Sequence, residues 1–197
     1  SRCATAATVI IPKTSCRAEV EDVERRLGRN RQFRLQALLE TPDGILNARE
    51  ICCASDRMEA VVLGYADLGA ALGRATGHPE RWLALQDMVL LAARSAGIQA
   101  IDGPDLRIAA DDEFTRAAQL SSELGFDGKW VIHPAQIDTV ATAFTPSNDE
   151  IDHAHNVIES LHRAEAAGAG AALLDGRMLD EAVAVSARRV LARAGLR

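Results

Sequence analysis

The sequence predicts a parallel α/β protein, because short apolar runs alternate with helical segments along most of its 197 residues. The runs are continuous rather than alternating, which is typical of parallel strands that are covered on both faces. Each run ends in polar residues and is followed by a helical pattern or a turn. The runs are residues 8–13, 34–40, 59–67, 97–102 and 128–134.

The segments between the runs carry helix signals. Residues 16–28 place their apolar side chains on one helical stripe. Residues 79–97 have Pro79 near the start and Gly97 after the end, the usual positions of these residues around a helix. Residues 111–125 have acidic side chains in the first turn, which favour the positive end of the helix dipole, and a glycine at the close.

The pattern changes near residue 145. We therefore expect a barrel-like α/β part over residues 1–145 and a C-terminal helical arm over residues 146–197. The arm is predicted to contain a long polar helix at about 147–167, a Gly/Ala-rich break and a final helix at about 179–194. The three histidines of the polar helix are expected to be solvated.

Composition excludes several classes of partner. The chain is 48% hydrophobic and 25% charged, as in an ordinary globular domain, and its net charge is -6 without any long basic block. We therefore expect no nucleic-acid partner, and we interpret the short basic stretch at 25–34 as a solvated helix face. No apolar run reaches the roughly 20 residues that span a bilayer, and no signal peptide is visible. The four cysteines lack disulfide-like or metal-like spacing, which predicts reduced thiols and a cytoplasmic location.

A polar side chain stands at the end of each apolar run: Lys13, Glu40, Asp67, Asp102 and His133. In a parallel sheet these residues emerge at the same carboxyl-terminal edge, where parallel α/β folds build their sites. We expect Lys13 and Asp102 to form ion pairs at this edge. We expect His133, directly before a proline, to be a packed histidine at a strand end.

Two of these residues, Glu40 and Asp67, are carboxylates separated by 27 residues, about one strand, loop and helix. If their strands are neighbours, about 4.8 Å apart, the carboxylates repel each other and need a cation, a shared proton or open water. One or two carboxylates completed by water and substrate suit Mg²⁺. Cysteine and histidine are absent from matching positions, which argues against structural zinc.

Helix capping competes with this metal-site interpretation. Thr41 or Asp43 is placed to cap the next helix, which would make Glu40 an ordinary loop acid, and Asp67 allows the same interpretation. Residues 63–74, LGYADLGAALGR, are glycine-rich but lack the fingerprints of a phosphate-binding or dinucleotide-binding loop. The spacing alone leaves both interpretations open.

Several motifs resemble one known family. The segments are LLETPDGILNAREI, LGYADLGAALGR, IQAIDGP, LGFDGKWVIHPAQIDTVATAFTPSNDEI and, at the close, LLDGRMLDEAVAVSARRVL. Together they are similar to the citrate lyase beta-subunit-like branch of the HpcH/HpaI aldolase family, from about Thr8 to the end of the chain. The most specific part of the resemblance is GFDGKWVIHPAQI with FTPS.

The resemblance implies a (β/α)₈ TIM barrel in a homotrimer or hexamer. VIIPK resembles the fourth strand of that barrel, so this chain would hold strands 4 to 8 and a C-terminal arm, in a fold that usually takes about 250 residues. The implied activity is a Mg²⁺-dependent carbon–carbon lyase. It would cleave or form a citryl-, malyl- or related β-hydroxyacyl thioester of CoA or an acyl carrier protein, through a metal-stabilised enolate.

The resemblance also assigns residues. Glu40 stands where the family has its first metal carboxylate, and Asp67 where it has its second, although the motif here reads GYAD in place of the commoner GAED. Asp180 matches an aspartate that reaches a neighbouring subunit's site as an acid/base group. The competing interpretation of Asp180 is a helix N-cap. Because this chemistry needs no lysine Schiff base, Lys13 is interpreted as structural.

Two other functions remain open at this point. If the first three strands are missing from the protein, an open sheet with exposed edges favours a catalytically inactive family member that acts as an interaction module. A class II pyruvate aldolase, which needs no thioester carrier, is the third interpretation.

Overall fold

The computed structural model of the chain describes residues 8–28, 32–77, 79–166, 168, 172–174 and 177–196. The chain divides into two compact units, residues 1–140 and residues 141–197.

The first unit is built on a five-stranded parallel sheet. Its strands are β1 (Thr8–Ile11), β2 (Arg34–Leu39), β3 (Met58–Leu63), β4 (Gln99–Asp102) and β5 (Gly128–Lys129). They lie side by side in chain order, and each pairs in parallel with the next. The predicted parallel α/β class is therefore confirmed, and the carboxyl ends of all five strands meet at one edge.

Helices connect the strands. They are α1 (Arg17–Leu27), α2 (Pro42–Leu46), α3 (Ala48–Cys52), α4 (Tyr65–Leu72), α5 (Leu83–Ala96), α6 (Asp112–Leu124) and α7 (Ile137–Phe144). The three predicted helical segments are present as α1, α5 and α6. Gly97 and Gly125 close α5 and α6 in left-handed conformations, with φ of 69° and 101°. No helix in the described ranges is long and apolar enough to cross a membrane.

Each strand is shorter than the apolar run that predicted it, and β3 and β5 differ most. The run at 128–134 forms a strand only over β5, because the chain turns at His133 into a 3₁₀ turn that begins at Pro134. The run at 59–67 stops at Leu63, and Tyr65 already begins α4. Asp67 therefore lies in the first turn of a helix rather than at a strand end.

Burial differs between the two central strands. β3 is buried along almost its whole length, as a strand covered on both faces should be. In β2, by contrast, Leu35, Ala37 and Leu39 are fully buried while Gln36 and Leu38 between them are half-buried. One face of β2 is therefore only partly covered by the described residues, contrary to the sequence expectation. Among those residues the sheet is also open, with β1 and β5 at its edges.

The second unit packs two helices against a small hairpin. It contains α8 (Asn148–Ala166), the antiparallel strands β6 (Ala172–Leu174) and β7 (Arg177–Leu179), and α9 (Glu181–Arg193). Both predicted helices are present, but the hairpin lies where the sequence predicted only a break. Its core joins α8, β7 and α9 through buried apolar residues. These are Ala154, Val157, Leu161, Leu179, Ala184, Ala187 and Leu191.

Candidate metal-binding site

The two predicted metal carboxylates lie at the same edge of the sheet. Glu40 directly follows β2, and Asp67 lies in the first turn of α4, which follows β3. β2 and β3 are paired in parallel up to Leu39 and Leu63, so the two strands that precede these residues are neighbours, which was the condition for the pair. Both residues are half-buried.

Lys13 joins these two acids. Its backbone N–H donates to Glu40 Oε1 at 2.9 Å, and its ammonium group lies 2.6 Å from Asp67 Oδ2. The hydrogen bond with Asp67, together with the negative charges of Asp67 and Glu40, raises the pKa of Lys13 above its ordinary value. The backbone of Lys13 is left-handed, with φ of 51°, which is uncommon for a residue with a long side chain. The predicted ion pair of Lys13 is thus present, and a cation occupies the neighbourhood of both carboxylates.

Gly64 explains how Glu40 fits against the end of β3. A Cβ atom added at Gly64 would lie 2.6 Å from the Glu40 Cβ and 3.0 Å from Glu40 Oε2. Contacts this short do not occur between real side chains, so only glycine lets the Glu40 side chain cross the backbone at this point. The glycine of the GYAD segment therefore shapes the site without contributing a side chain.

The helix cap that competed with the metal-site interpretation is present after β2. Thr41 is the N-cap of α2, and its Oγ1 accepts a hydrogen bond from the Gly44 N–H at 3.0 Å. The cap that the competing interpretation expected at Thr41 is therefore present, and the metal role of Glu40 stays a prediction. Asp67 lies within the first turn of α4, where a negative charge is favoured by the helix dipole, and Gly64 is the residue at the N-cap.

The donor chemistry of the pair fits Mg²⁺. In the described part of the chain no cluster of three or more His, Cys, Asp or Glu side chains could enclose a metal ion. Glu40 and Asp67 can offer only carboxylate oxygens, so water or substrate would have to complete the coordination of a bound ion. This is the pattern that Mg²⁺ prefers, whereas zinc sites use closed sets of Cys and His.

A second polar cluster lies at the ends of β4 and β5. Asp102, 1% exposed, accepts hydrogen bonds from Ser121 Oγ at 2.5 Å and Lys129 Nζ at 2.6 Å through Oδ2, and from the Tyr65 hydroxyl through Oδ1. Gln86 Nε2 donates to the Tyr65 hydroxyl at 2.7 Å. Burial, followed by the negative charge of Asp102, raises the pKa of Tyr65 well above its ordinary value, so its hydroxyl keeps the proton that it donates. The predicted ion pair of Asp102 is present, with Lys129 as its partner.

This cluster lines a small cavity of about 40 Å³, large enough for one or two water molecules. The apolar part of its wall comes from Trp82, Pro104 and Leu106, which lie outside the helices, and from Ala117 and Leu120 of α6. Glu40 and Asp67 are not among the lining residues, so the cavity and the carboxylate pair are separate features of the same sheet edge. The lining includes Tyr65, Trp82, Gln86, Asp102, Ser121 and Lys129.

Sequence reasoning missed most of this cluster. Tyr65, the only tyrosine of the chain, lies two residues before Asp67, but nothing in the local sequence shows that its hydroxyl reaches β4. His133 was expected to be packed, and that prediction is wrong, because its side chain is exposed. Its Nδ1 accepts a hydrogen bond from the Ala135 N–H at 3.2 Å, so it caps the turn after β5.

Asp180 belongs to the second unit. It is exposed and is the N-cap of α9, where its Oδ1 accepts hydrogen bonds from the N–H groups of Ala182 and Val183 at 3.0 and 3.2 Å. The capping interpretation is therefore present in the structure. A role in acid/base chemistry remains a prediction, as do the metal roles of Glu40 and Asp67.

The class of this protein is defined by its parallel α/β sheet, whose strands follow chain order and carry Glu40 and Asp67 near its carboxyl edge. The chain belongs to the HpcH/HpaI aldolase/citrate lyase family, whose sequence model matches residues 3–134. The family expected from the sequence motifs is thereby confirmed.

The chain is similar to several known proteins. The chain is 34% identical to L-malyl-CoA/beta-methylmalyl-CoA lyase of Rhodobacter capsulatus, a match that covers 87% of this chain and 62% of that protein. It is 38% identical to (3S)-malyl-CoA thioesterase of Cereibacter sphaeroides, over 97% of this chain and 66% of that protein. The chain thus spans somewhat less than two thirds of these relatives. Among solved structures it resembles the protein CitE of Mycobacterium tuberculosis in complex with magnesium, acetoacetate and coenzyme A. That similarity has a TM-score of 0.76 at 30% identity and covers 96% of this chain and 68% of the other.

Proposed function

We propose that this chain supplies the metal site of a Mg²⁺-dependent carbon–carbon lyase that acts on a citryl-, malyl- or related β-hydroxyacyl thioester of CoA or an acyl carrier protein. The observation that supports the proposal most strongly is the pair Glu40 and Asp67. The two carboxylates lie on neighbouring strand connections with a lysine ammonium against one of them. The relatives named above, a malyl-CoA lyase and a magnesium-bound CitE, support the metal and the substrate class.

The chemistry places different demands on each residue. When bound, Mg²⁺ would act as a Lewis acid toward the substrate oxygen on which negative charge develops as the carbon–carbon bond breaks. Glu40 and Asp67 would hold it through their carboxylate oxygens. Lys13 would have to release Asp67 Oδ2, because its ammonium now lies 2.6 Å from that oxygen.

Asp180 is the proposed acid/base residue, which would move a proton between substrate and solvent. Both of its capping hydrogen bonds use Oδ1. A proton could therefore come and go at Oδ2 without disturbing the start of α9. By resemblance, Asp180 would serve the site of a neighbouring subunit in a homotrimer or hexamer.

The proposal extends to the fold of the whole protein. The five parallel strands in chain order are what strands 4 to 8 of a (β/α)₈ barrel would present, and the relatives are longer than this chain. We propose that residues 1–145 are part of such a barrel, that residues 146–197 are its helical arm, and that the protein works in the cytoplasm.

Binding of Mn²⁺, followed by electron paramagnetic resonance, and of Mg²⁺, followed by calorimetry, tests the metal site. Glu40→Gln and Asp67→Asn should each lose most of the affinity, because each removes a negative charge and a carboxylate oxygen at nearly constant volume. Glu123→Gln, on the exposed surface of α6, is the matched control and should bind as the unsubstituted chain does. If both site variants retain the affinity, the metal assignment is wrong.

Product analysis with malyl-CoA then separates the candidate activities. A lyase gives acetyl-CoA and glyoxylate, whereas a thioesterase, the activity named for the 38% identical relative, gives malate and free CoA. Turnover that requires Mg²⁺ and yields acetyl-CoA supports the proposal. Metal binding without turnover would favour the inactive interaction module, and cleavage of a 2-keto acid that carries no thioester would favour the pyruvate aldolase.

A further inference from the structure

We propose that Tyr65 and Asp102 are positioning residues of the candidate metal site, and that the hydrogen bond between them fixes the first turn of α4 and thereby Asp67. The inference rests on the proposed function, since it concerns the placement of a proposed metal ligand. Neither residue is proposed to touch the metal ion or the substrate.

The start of α4 needs an anchor of this kind. The residue at its N-cap is Gly64, which has no side chain to hydrogen-bond the free N–H groups of the first turn. Among the other helices of the first unit, α2 and α6 begin with capping side chains, from Thr41 and Asp111, whereas α1, α3 and α5, like α4, do not. The first residue of α4, Tyr65, reaches sideways to the end of β4, where its hydroxyl donates to Asp102 Oδ1.

The acceptor of this hydrogen bond is held rigidly. Asp102 is the last residue of β4 and is 1% exposed. Ser121, from α6, and Lys129, from β5, both donate to its other oxygen, Oδ2. Because three elements fix the carboxylate, the Tyr65 hydroxyl is tied to the sheet and to α6 rather than to a movable loop.

The ring of Tyr65 is also fixed. It packs edge-on against Trp82, with ring centroids 5.1 Å apart, and its hydroxyl accepts a hydrogen bond from Gln86. The backbones at the ends of β3 and β4 approach closely as well. A Cβ added at Gly103 would lie 1.9 Å from the Leu63 carbonyl oxygen and 2.9 Å from Tyr65 Cδ2. The side chain of Tyr65 therefore has little freedom.

This rigidity is transmitted to Asp67 through the helix. Asp67 lies two residues after Tyr65, in the same turn, and its own side chain is 46% exposed. Its one ion-pair partner in the described structure, Lys13, is still more exposed, at 63%, and an exposed pair of this kind fixes geometry only weakly. The hydrogen bond of Tyr65 to the buried Asp102 is thus the firmer constraint on the position of the Asp67 backbone.

The test compares two variants that each remove one hydrogen bond to the same carboxylate. Tyr65→Phe keeps the ring against Trp82 but deletes the hydroxyl. Ser121→Ala, the matched control, deletes a donor to Asp102 that is not attached to α4. Both are studied in the full 197-residue chain, with Mn²⁺ affinity and amide hydrogen exchange of residues 65–72 as readouts.

We expect Tyr65→Phe to weaken Mn²⁺ binding about tenfold or more, the range for residues that orient metal ligands, and to speed amide exchange in α4. Ser121→Ala leaves Lys129 on Asp102 Oδ2 and the Tyr65 hydroxyl on Oδ1, so its effect on both readouts should be clearly smaller than that of Tyr65→Phe. Equal effects of the two variants, or no effect of Tyr65→Phe, would overturn the inference. A failure of the proposed function looks different: the unsubstituted chain would bind no Mn²⁺, or Glu40→Gln would bind it unchanged. In that case the exchange rate of α4 alone decides whether Tyr65 anchors the helix.

Discussion

Gly64→Ala is the most direct test of the geometry around Glu40. Gly64 has φ of -103° and ψ of 109°, a conformation that alanine adopts without strain, so the substitution acts only through the added methyl group. That methyl group would lie 2.6 Å from the Glu40 Cβ and 3.3 Å from Leu38 Cδ1. The nearer atom is attached directly to the backbone of Glu40 and cannot rotate away, so the ends of β2 and β3 must separate.

The expected loss follows from two opposing effects. Forcing an extra methyl group into a packed site costs about 1–3 kcal/mol, whereas replacing glycine by alanine at a permissive position gains about 0.4–1 kcal/mol through the unfolded chain. The net loss in the free energy of unfolding should therefore be about 1–2 kcal/mol. Because the shift displaces Glu40, Mn²⁺ affinity should fall together with stability.

Urea unfolding and Mn²⁺ binding measure the two effects. Gly77→Ala is the control, since a Cβ at Gly77 meets nothing within 4 Å and its φ is not in the left-handed region. The cost of Gly64→Ala should largely disappear in a Glu40→Gly background, where the clashing Cβ is gone. If Gly64→Ala is as stable as Gly77→Ala and binds Mn²⁺ normally, then Glu40 does not pack across Gly64 and the described geometry is wrong.

Three further outcomes are expected. In Lys13→Asn, the asparagine accepts the left-handed backbone of this position, and the ammonium group is removed from Asp67. Calorimetry should therefore show several-fold tighter Mn²⁺ binding. Weaker binding would mean that the lysine helps to hold the site. At the start of α8, the Ser147 Oγ accepts from the Glu150 N–H and the Glu150 side chain accepts from the Ser147 N–H. Ser147→Ala breaks this reciprocal cap and should lower the free energy of unfolding by about 1 kcal/mol in urea titrations. An unchanged value would argue against the cap. Burial raises the pKa of Cys52 to about 12, so at pH 8 a thiol reagent should label exposed Cys53 quickly and Cys52 only after unfolding; equal native rates would contradict the burial.

The fold was largely predictable because its signals are local. Helix ends marked by Gly97 and Gly125 and the order of strands and helices follow from short stretches of sequence. Strand lengths did not follow, because an apolar run does not show where the chain leaves the sheet. The run to Asp67 contains a glycine and then a helix start, and the run to Pro134 contains a turn capped by His133.

The site was predictable only as far as topology determines it. Parallel pairing of β2 and β3 brings Glu40 and Asp67 to one edge, which their separation of one strand, loop and helix already suggested. The Tyr65–Asp102 contact joins residues 37 positions apart through a side-chain conformation, and no periodicity encodes it. The sequence also gives no sign of why residue 64 is a glycine, because the reason is that a side chain there would clash with Glu40, which follows another strand.

The carboxylate pair is also a case of charge compensation within the protein. Two carboxylates brought together by neighbouring strands repel each other unless a cation is near, and here Lys13 supplies both an ammonium to Asp67 and a backbone N–H to Glu40. Its side chain is 63% exposed and can swing into solvent at little cost, whereas its backbone N–H stays in place. Entry of a divalent ion would thus exchange one cation for another at Asp67 while Glu40 keeps its hydrogen bond. Lys13 thus keeps the two carboxylates from repelling each other, and its side chain would have to leave Asp67 before a divalent ion could bind there.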